Sequence, residues 1–210
     1  DNAGLPLFER FGRGVALTQA GELLVHHALR ILGEIKDAEA NLQALLGAEV
    51  GQISVGLVST AKYFMPRLLA QFSHAHPGIE VQFTVGNRET LLQKLQDNAI
   101  DLAVMGRIPV EIDAHAEPMA SHPYVLIGPA DHPLRDERRF DLHELRHETF
   151  LLREEGSGSR RVAEEMFKNH LFTPARTISM GSNETIKQAV MAGMGISLIS
   201  LHTLPLELKT

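Results

Sequence analysis

Apolar residues change period twice along the chain, and the two changes divide it into three parts. Residues 1–17 hold two short apolar runs around a glycine-bearing turn. Leu5, Leu7 and Phe8 come first, Glu9-Arg10-Phe11-Gly12-Arg13-Gly14 turns the chain, and Val15 and Leu17 follow. Two runs so spaced predict a small hairpin, and Thr18 is placed to cap a helix behind it. From Leu24 the apolar residues are Leu24, Ala28, Ile31, Ile35, Ala38, Leu42 and Leu45, alternately four and three apart. This is a coiled-coil seam, narrower than the stripe of a helix buried on its own domain. Its simplest partner is a second copy of itself. Gly47 and Gly51 then end the helix in a linker.

Beyond Gln52 the pattern becomes strand–helix alternation. Strands are expected at Ile53–Leu57, Ile79–Val85 and Leu102–Met105, with helices at Tyr63–His74 and Glu89–Gln96 between them. That order predicts a parallel sheet with both faces covered. A looser stretch from Ile108 to Pro123 reads as a crossing into a second lobe. There the expected strands are Tyr124–Gly128, Phe150–Leu152, Thr177–Met180 and Ile196–Ile199, and the helices Leu142–Arg146, Ser159–Leu171 and Glu184–Ala192. The fold class is α/β, and two such lobes joined by crossovers predict a ligand cleft between them. No internal repeat or low-complexity tract interrupts the pattern.

Composition narrows the function classes. Of 210 residues, 44% are hydrophobic and 22% charged, ordinary globular usage. The absence of cysteine removes disulfides, thiolate metal sites and cysteine nucleophiles, and fits a cytoplasmic protein. No apolar run approaches the roughly 20 residues of a membrane helix. A net charge of −6 gives no overall basic footprint for nucleic acid.

One motif points to catalysis. His143-Glu144-Leu145-Arg146-His147 spells H-E-x-x-H, the zinc-hydrolase pattern. The segment available to it is short, no third ligand is in view, and Leu142 and Leu145 read as the packed residues. It is therefore expected to be structural. No serine sits on a G-x-S-x-G elbow, no metal site is expected, and nothing asks for a cofactor. The expectation is a binder rather than an enzyme.

Small and polar groups recur where expected strands end, the place at which open α/β sheets bind ligands. They are Ser59 and Thr60, Asn87, Gly106 and Arg107, Ser157 and Gly158, and Asn183. The run Arg153-Glu154-Glu155-Gly156-Ser157-Gly158-Ser159-Arg160-Arg161 joins a strand to a helix. Its backbone N–H groups suit an anion, with Arg160 or Arg161 adding a charged fork; Arg160 is taken as the contact. The turn has neither the dinucleotide nor the Walker spacing, and an ordinary capped turn is its plain structural alternative.

The string Leu7-Phe8-Glu9-Arg10…Arg13…Leu17-Thr18-Gln19-Ala20-Gly21, followed by a heptad helix and two α/β lobes, resembles the LysR-type transcriptional regulators. The resemblance runs along essentially the whole chain. Within that family, Asn2-x-Gly4-Leu5-Pro6-Leu7-Phe8, Lys62-Tyr63-Phe64-Met65-Pro66, Val104-Met105-Gly106-Arg107 and Gly181-Ser182-Asn183-Glu184-Thr185-Ile186-Lys187 resemble the regulators of Calvin-cycle (RuBisCO) operons.

The resemblance implies a remnant of a winged helix-turn-helix at 1–17, a dimerising linker helix at 18–50 and a periplasmic-binding-protein-like effector domain at 51–210. Lobe I would span about 51–108 and lobe II about 109–205. It implies Arg10 and Arg13 on a wing against DNA phosphates, and homodimers pairing into tetramers. Ser59, Thr60, Asn87, Gly106, Arg107, Ser157, Gly158, Arg160 and Asn183 would line an effector site for a phosphorylated sugar or nucleotide. It also brings in an operator and RNA polymerase as partners of the parent protein. The family's helix-turn-helix precedes the wing and its effector domain continues past the position of Thr210, so a piece of a longer regulator is expected. Residues 1–50, with four basic and seven acidic side chains, then hold little of the DNA-reading surface, which explains the missing basic footprint. The competing reading is a stand-alone periplasmic-type binding protein, which needs neither the wing string nor the heptads.

Overall fold

The computed structural model describes residues 4–12, 14–45, 50–107, 109–110, 112–135, 137 and 139–204. Arg13 and the side chain of Leu45 lie outside the described residues.

The predicted hairpin forms as β1 (Phe8–Phe11) and β2 (Gly14–Leu17), antiparallel, with Phe8 opposite Leu17. Gly12 turns it at φ +60°, a conformation that favours glycine. Thr18 accepts the Gly21 N–H at 3.1 Å and donates to the Pro6 carbonyl at 2.7 Å, so it caps helix α1 (Gln19–Leu45) and ties it back to the hairpin.

The α1 seam faces solvent: Leu24 is 47% exposed, Ile35 51%, and Ile31 and Leu42 61% each. The opposite side of the same helix touches lobe I. His26 Nδ1 lies 2.6 Å from Asp97 Oδ1, and Lys36 Nζ lies 3.6 Å from Asp101. Between them, a Cβ on Gly33 would stand 2.7 Å from Asn98 Cβ. A glycine in mid-helix weakens it, and this close approach is the reason for this one. The helix therefore rests on its own lobe through a polar rear face and leaves the apolar seam open.

Lobe I is β3 (Gly51–Val58), α2 (Met65–Ala75), β4 (Ile79–Gly86), α3 (Arg88–Gln96) and β5 (Leu102–Val104). Its sheet is all parallel in the order β4-β3-β5, as the alternation predicts. Val55, Leu57, Ala61 and Met65 form its core. Helix α2 starts at Met65 rather than Tyr63, behind a 3-10 turn at Ala61–Tyr63, because Pro66 has no N–H and fits the first turn.

Lobe II holds β6 (Tyr124–Ile127), β7 (Thr149–Arg153), α4 (Gly158–Asn169), β8 (Arg176–Met180), α5 (Asn183–Met191) and β9 (Ser197–Ser200). Strand β7 runs parallel to β8 and bridges to Ile196 in parallel, while β9 pairs antiparallel with β6. The order is β8-β7-β9-β6. Strand β6 is the antiparallel member of this lobe. That strand enters straight from the lobe crossover, so no βαβ unit fixes its direction, and it becomes an antiparallel edge. Phe150 and Leu152 bury into one face of this sheet with Phe167 and Phe172, and Leu151 into the other with Ile186 and Ile199.

The H-E-x-x-H segment is a 3-10 turn, Leu142–Leu145, closed by a capping box between Asp141 and Glu144. The Glu144 carboxylate accepts the Asp141 N–H at 2.8 Å, Leu145 is buried, and His147 Nε2 accepts from Arg146 at 3.0 Å. Glu144 is a helix cap, and among the described residues no His/Asp/Glu group is arranged to hold a metal.

Candidate functional site

The C-terminal ends of β3, β4 and β5 face the start of β6, the end of β7 and the first turn of α4. Between the lobes they enclose a cavity of about 220 Å³. Its floor is mostly hydroxyl and backbone: Ser59 and Thr60 after β3, Gly86 and Asn87 after β4, Gly106 after β5, and Ser157, Gly158 and Ser159 at α4. Thr60, Ser157 and Ser159 are buried. Asn87 caps α3 through the Thr90 N–H at 2.9 Å, which fixes its side chain at the wall.

Ser157 occupies the N-cap of α4, yet its side chain makes no capping hydrogen bond. The first-turn N–H groups of a 12-residue helix, with their positive dipole end, are thus directed into the cavity without a side-chain oxygen. Arg88, Arg107, Arg153 and Arg161 supply positive charge around it. Arg153 is 4% exposed, and four hydrogen bonds engage its guanidinium. Nε and Nη2 donate to the Glu154 carboxylate at 2.7 and 2.8 Å, Nη1 to Asn183 Oδ1 at 2.9 Å, and Nη2 reaches Ser59 Oγ across the lobes at 3.3 Å. Arg88 donates to the Arg107 carbonyl at 2.9 Å and to Met105 Sδ at 3.2 Å, beneath the floor of lobe I.

Two further groups stand at the back of the cleft. Burial raises the Tyr124 phenol above its ordinary pKa, against a hydrogen bond with Ser159 and the charges of Arg107 and Arg153. Burial and the neighbouring His202 push the His122 imidazole below its usual range. Its ring stacks at 5.7 Å on that of His202, which follows β9 in a 3-10 turn at Leu201–Thr203.

Seven of the nine residues expected in an effector site line this cavity: Ser59, Thr60, Asn87, Gly106, Arg107, Ser157 and Gly158. Arg160 does not. It lies on the far side of α4, pairs with Glu164 at 2.8 Å and donates to the Arg153 carbonyl at 3.3 Å. With Gly158 as the first helical residue, a step of about 100° per residue puts Arg161 and Val162 on the cleft face and Arg160 behind it. Asn183 is buried behind Arg153 and holds its fork rather than reaching the cavity. Arg88, His122 and Tyr124 were not singled out from the sequence, and Arg153 and Ser159 only as members of the strand-to-helix run. Arg88 and Arg153 adjoin strand ends, a signal that was readable. Tyr124 and His122 arrive from the crossover, whose path has no periodicity to read.

The family model of the LysR substrate binding domain matches residues 47–210. The chain is 64% identical over 207 residues to the HTH-type transcriptional regulator CfxR of Cupriavidus necator, spanning 99% of this chain and 65% of that protein. It is 43% identical over 210 residues to the RuBisCO operon transcriptional regulator of Allochromatium vinosum, spanning 100% of this chain and 70% of that one. Among solved structures, the regulatory domain of Synechocystis CcmR in complex with 2-PG superposes with a TM-score of 0.71 at 40% identity, over 74% of each chain. These relatives are transcriptional regulators rather than enzymes or transport proteins. The two-lobed α/β architecture, the match over most of its length and this level of identity place the chain in the LysR family of transcriptional regulators.

Proposed function

We propose that this chain is the effector-sensing and dimerising portion of a regulator of carbon-fixation genes. In this reading a small anionic metabolite binds between the lobes and biases their closure, and the whole protein carries that state to an operator. The observation that carries it is the uncapped first turn of α4 opening into a cavity lined by buried hydroxyls and arginines. An anion there would take the N–H groups, the Ser157 and Ser159 hydroxyls and the Arg161 guanidinium together. The similarity to the CcmR domain bound to 2-PG and to a RuBisCO operon regulator supports both the ligand class and the target genes.

The exposed seam of Leu24, Ala28, Ile31, Ile35, Ala38 and Leu42 serves as the dimer face, and pairing of dimers into tetramers builds on it. The hairpin is the wing, with Arg10 against DNA phosphate; Arg13, expected in the same role, lies outside the described residues. The whole regulator works in the cytoplasm, where RNA polymerase is its further partner. The test is a thermal-shift panel of 2-PG, phosphorylated sugars and nucleotides. A specific ligand at 100 times its Kd should stabilise the chain by about 2.7 kcal/mol, and loss of that response in Arg161→Ala would locate the anion. A folded sample indifferent to every anion would overturn the reading.

A further inference from the structure

Helix α4 presents Gly158, Arg161 and Val162 to the cavity. Glu165 is four residues beyond Arg161, so it lies on the same face one turn further out, at the rim. Its carboxylate meets Arg107, a cavity-lining cation from the opposite lobe, in a two-point fork. Nη1 donates to Oε1 at 2.7 Å and Nη2 to Oε2 at 2.5 Å. Arg153 also carries a carboxylate, but from Glu154 beside it in its own lobe. Among the described residues, the Arg107 fork is thus where one lobe neutralises a cleft cation of the other. It is also accessible, with Arg107 54% and Glu165 40% exposed. Being exposed, the fork is screened by salt and open to exchange with a competing anion. Arg107 keeps Glu165 ionised, holding its carboxyl below the usual range by hydrogen bond and charge, with Arg161 and Lys168 adding to the effect.

An anion seated at the first turn of α4 therefore finds Arg107 already committed to a carboxylate. A monoanion offers that guanidinium nothing that Glu165 does not already give, and it would leave two negative groups facing each other at the rim. A dianionic oxyanion offers twice the charge and a third acceptor oxygen, and it can draw the fork away. We propose that Glu165 is a charge filter for the cleft, an internal carboxylate that holds Arg107 against monoanions and yields it to dianionic oxyanions. The inference rests on the anion-binding reading of the cleft. It adds a specificity-determining residue that does not itself line the cavity.

The test follows the backbone amides of Gly158 and Ser159 by 1H–15N spectroscopy at fixed ionic strength, with sulfate as the dianion and acetate as the monoanion. In the unaltered chain sulfate should shift these amides saturably and acetate should not at equal concentration. In Glu165→Gln acetate should enter as well, and the preference for sulfate should drop by about threefold or more, the scale of an exposed ion pair. In Arg107→Gln sulfate binding should weaken, and adding Glu165→Gln should change the preference no further. An unchanged preference in Glu165→Gln, with sulfate still bound, overturns the filter and leaves the cleft reading intact. So does an equal effect of Glu165→Gln with and without Arg107. Silent amides in every variant overturn both.

Discussion

Arg153 shows how a buried charge is tolerated here. Its guanidinium is removed from water but meets Glu154, Asn183 and Ser59, so nearly every donor has an oxygen. Asn183 in turn is fully buried, and its Oδ1 is committed to that fork. Replacing Asn183 with Ala leaves a buried donor of Arg153 without its acceptor, and a loss of about 1–3 kcal/mol is expected by urea unfolding. A change within experimental error would show that Arg153 does not depend on it. His122 sets a pH dependence. Burial, then His202, lowers its proton affinity in the fold, while the unfolded chain titrates near 6.5. The unfolded state thus takes up the proton first as pH falls. The stability associated with neutral His122 is complete above about pH 6.5 and is lost as pH drops towards the folded value. His202, Tyr124 and the nearby Arg107 are the titratable and charged groups around it. Unfolding midpoints between pH 7 and 5 should fall less steeply in His122→Asn than in the unaltered chain, and equal slopes would remove His122 as the cause.

Helix α1 carries two faces with different chemistry. The seam residues Leu24, Ile31, Ile35 and Leu42 are exposed, whereas the rear face meets Asp97, Asn98 and Asp101 through His26, Gly33 and Lys36. Alanine for glycine in a helix interior ordinarily stabilises by about 0.5–1 kcal/mol. Gly33→Ala should instead destabilise the contact with lobe I, because its Cβ meets Asn98 at 2.7 Å. Asn98 itself has φ +52°, so Asn98→Gly is conformationally compatible and removes the obstructing Cβ. Hydrogen exchange of α1 amides should rise in Gly33→Ala and return in the double variant; a Gly33→Ala chain with slower exchange would mean that the helix is not held there. On the opposite face, Ile31→Asp together with Ile35→Asp should turn a dimer into a monomer in light scattering at micromolar concentration. An unaltered chain already monomeric there would set the seam aside as a dimer face. The heptad was readable because its period is local. The docking was not, since it depends on where the end of α3 lies after folding.

Across the whole molecule, strand–helix alternation was legible because each βα unit buries its own apolar face, and the strand ends then had to converge on one cleft. The direction of β6 and the arrival of His122 and Tyr124 were not legible, because both depend on the crossover from Ile108 to Pro123. The choice between Arg160 and Arg161 turned on the residue at which α4 begins. A one-residue shift in that start exchanges the side chain facing the cleft for the one that turns back to Glu164 and the Arg153 carbonyl. The cleft is built by both lobes and crossed by Ser59–Arg153 and Arg107–Glu165, so in the proposed reading a ligand that favours one arrangement of the lobes shifts them towards it. The direct measurement is calorimetric titration of 2-PG into the unaltered chain and into Arg161→Ala. Saturable binding with one site per chain is expected, weakened about tenfold or more when the charged contact is lost. No binding heat, or equal affinity in the two proteins, would remove the anion from the first turn of α4.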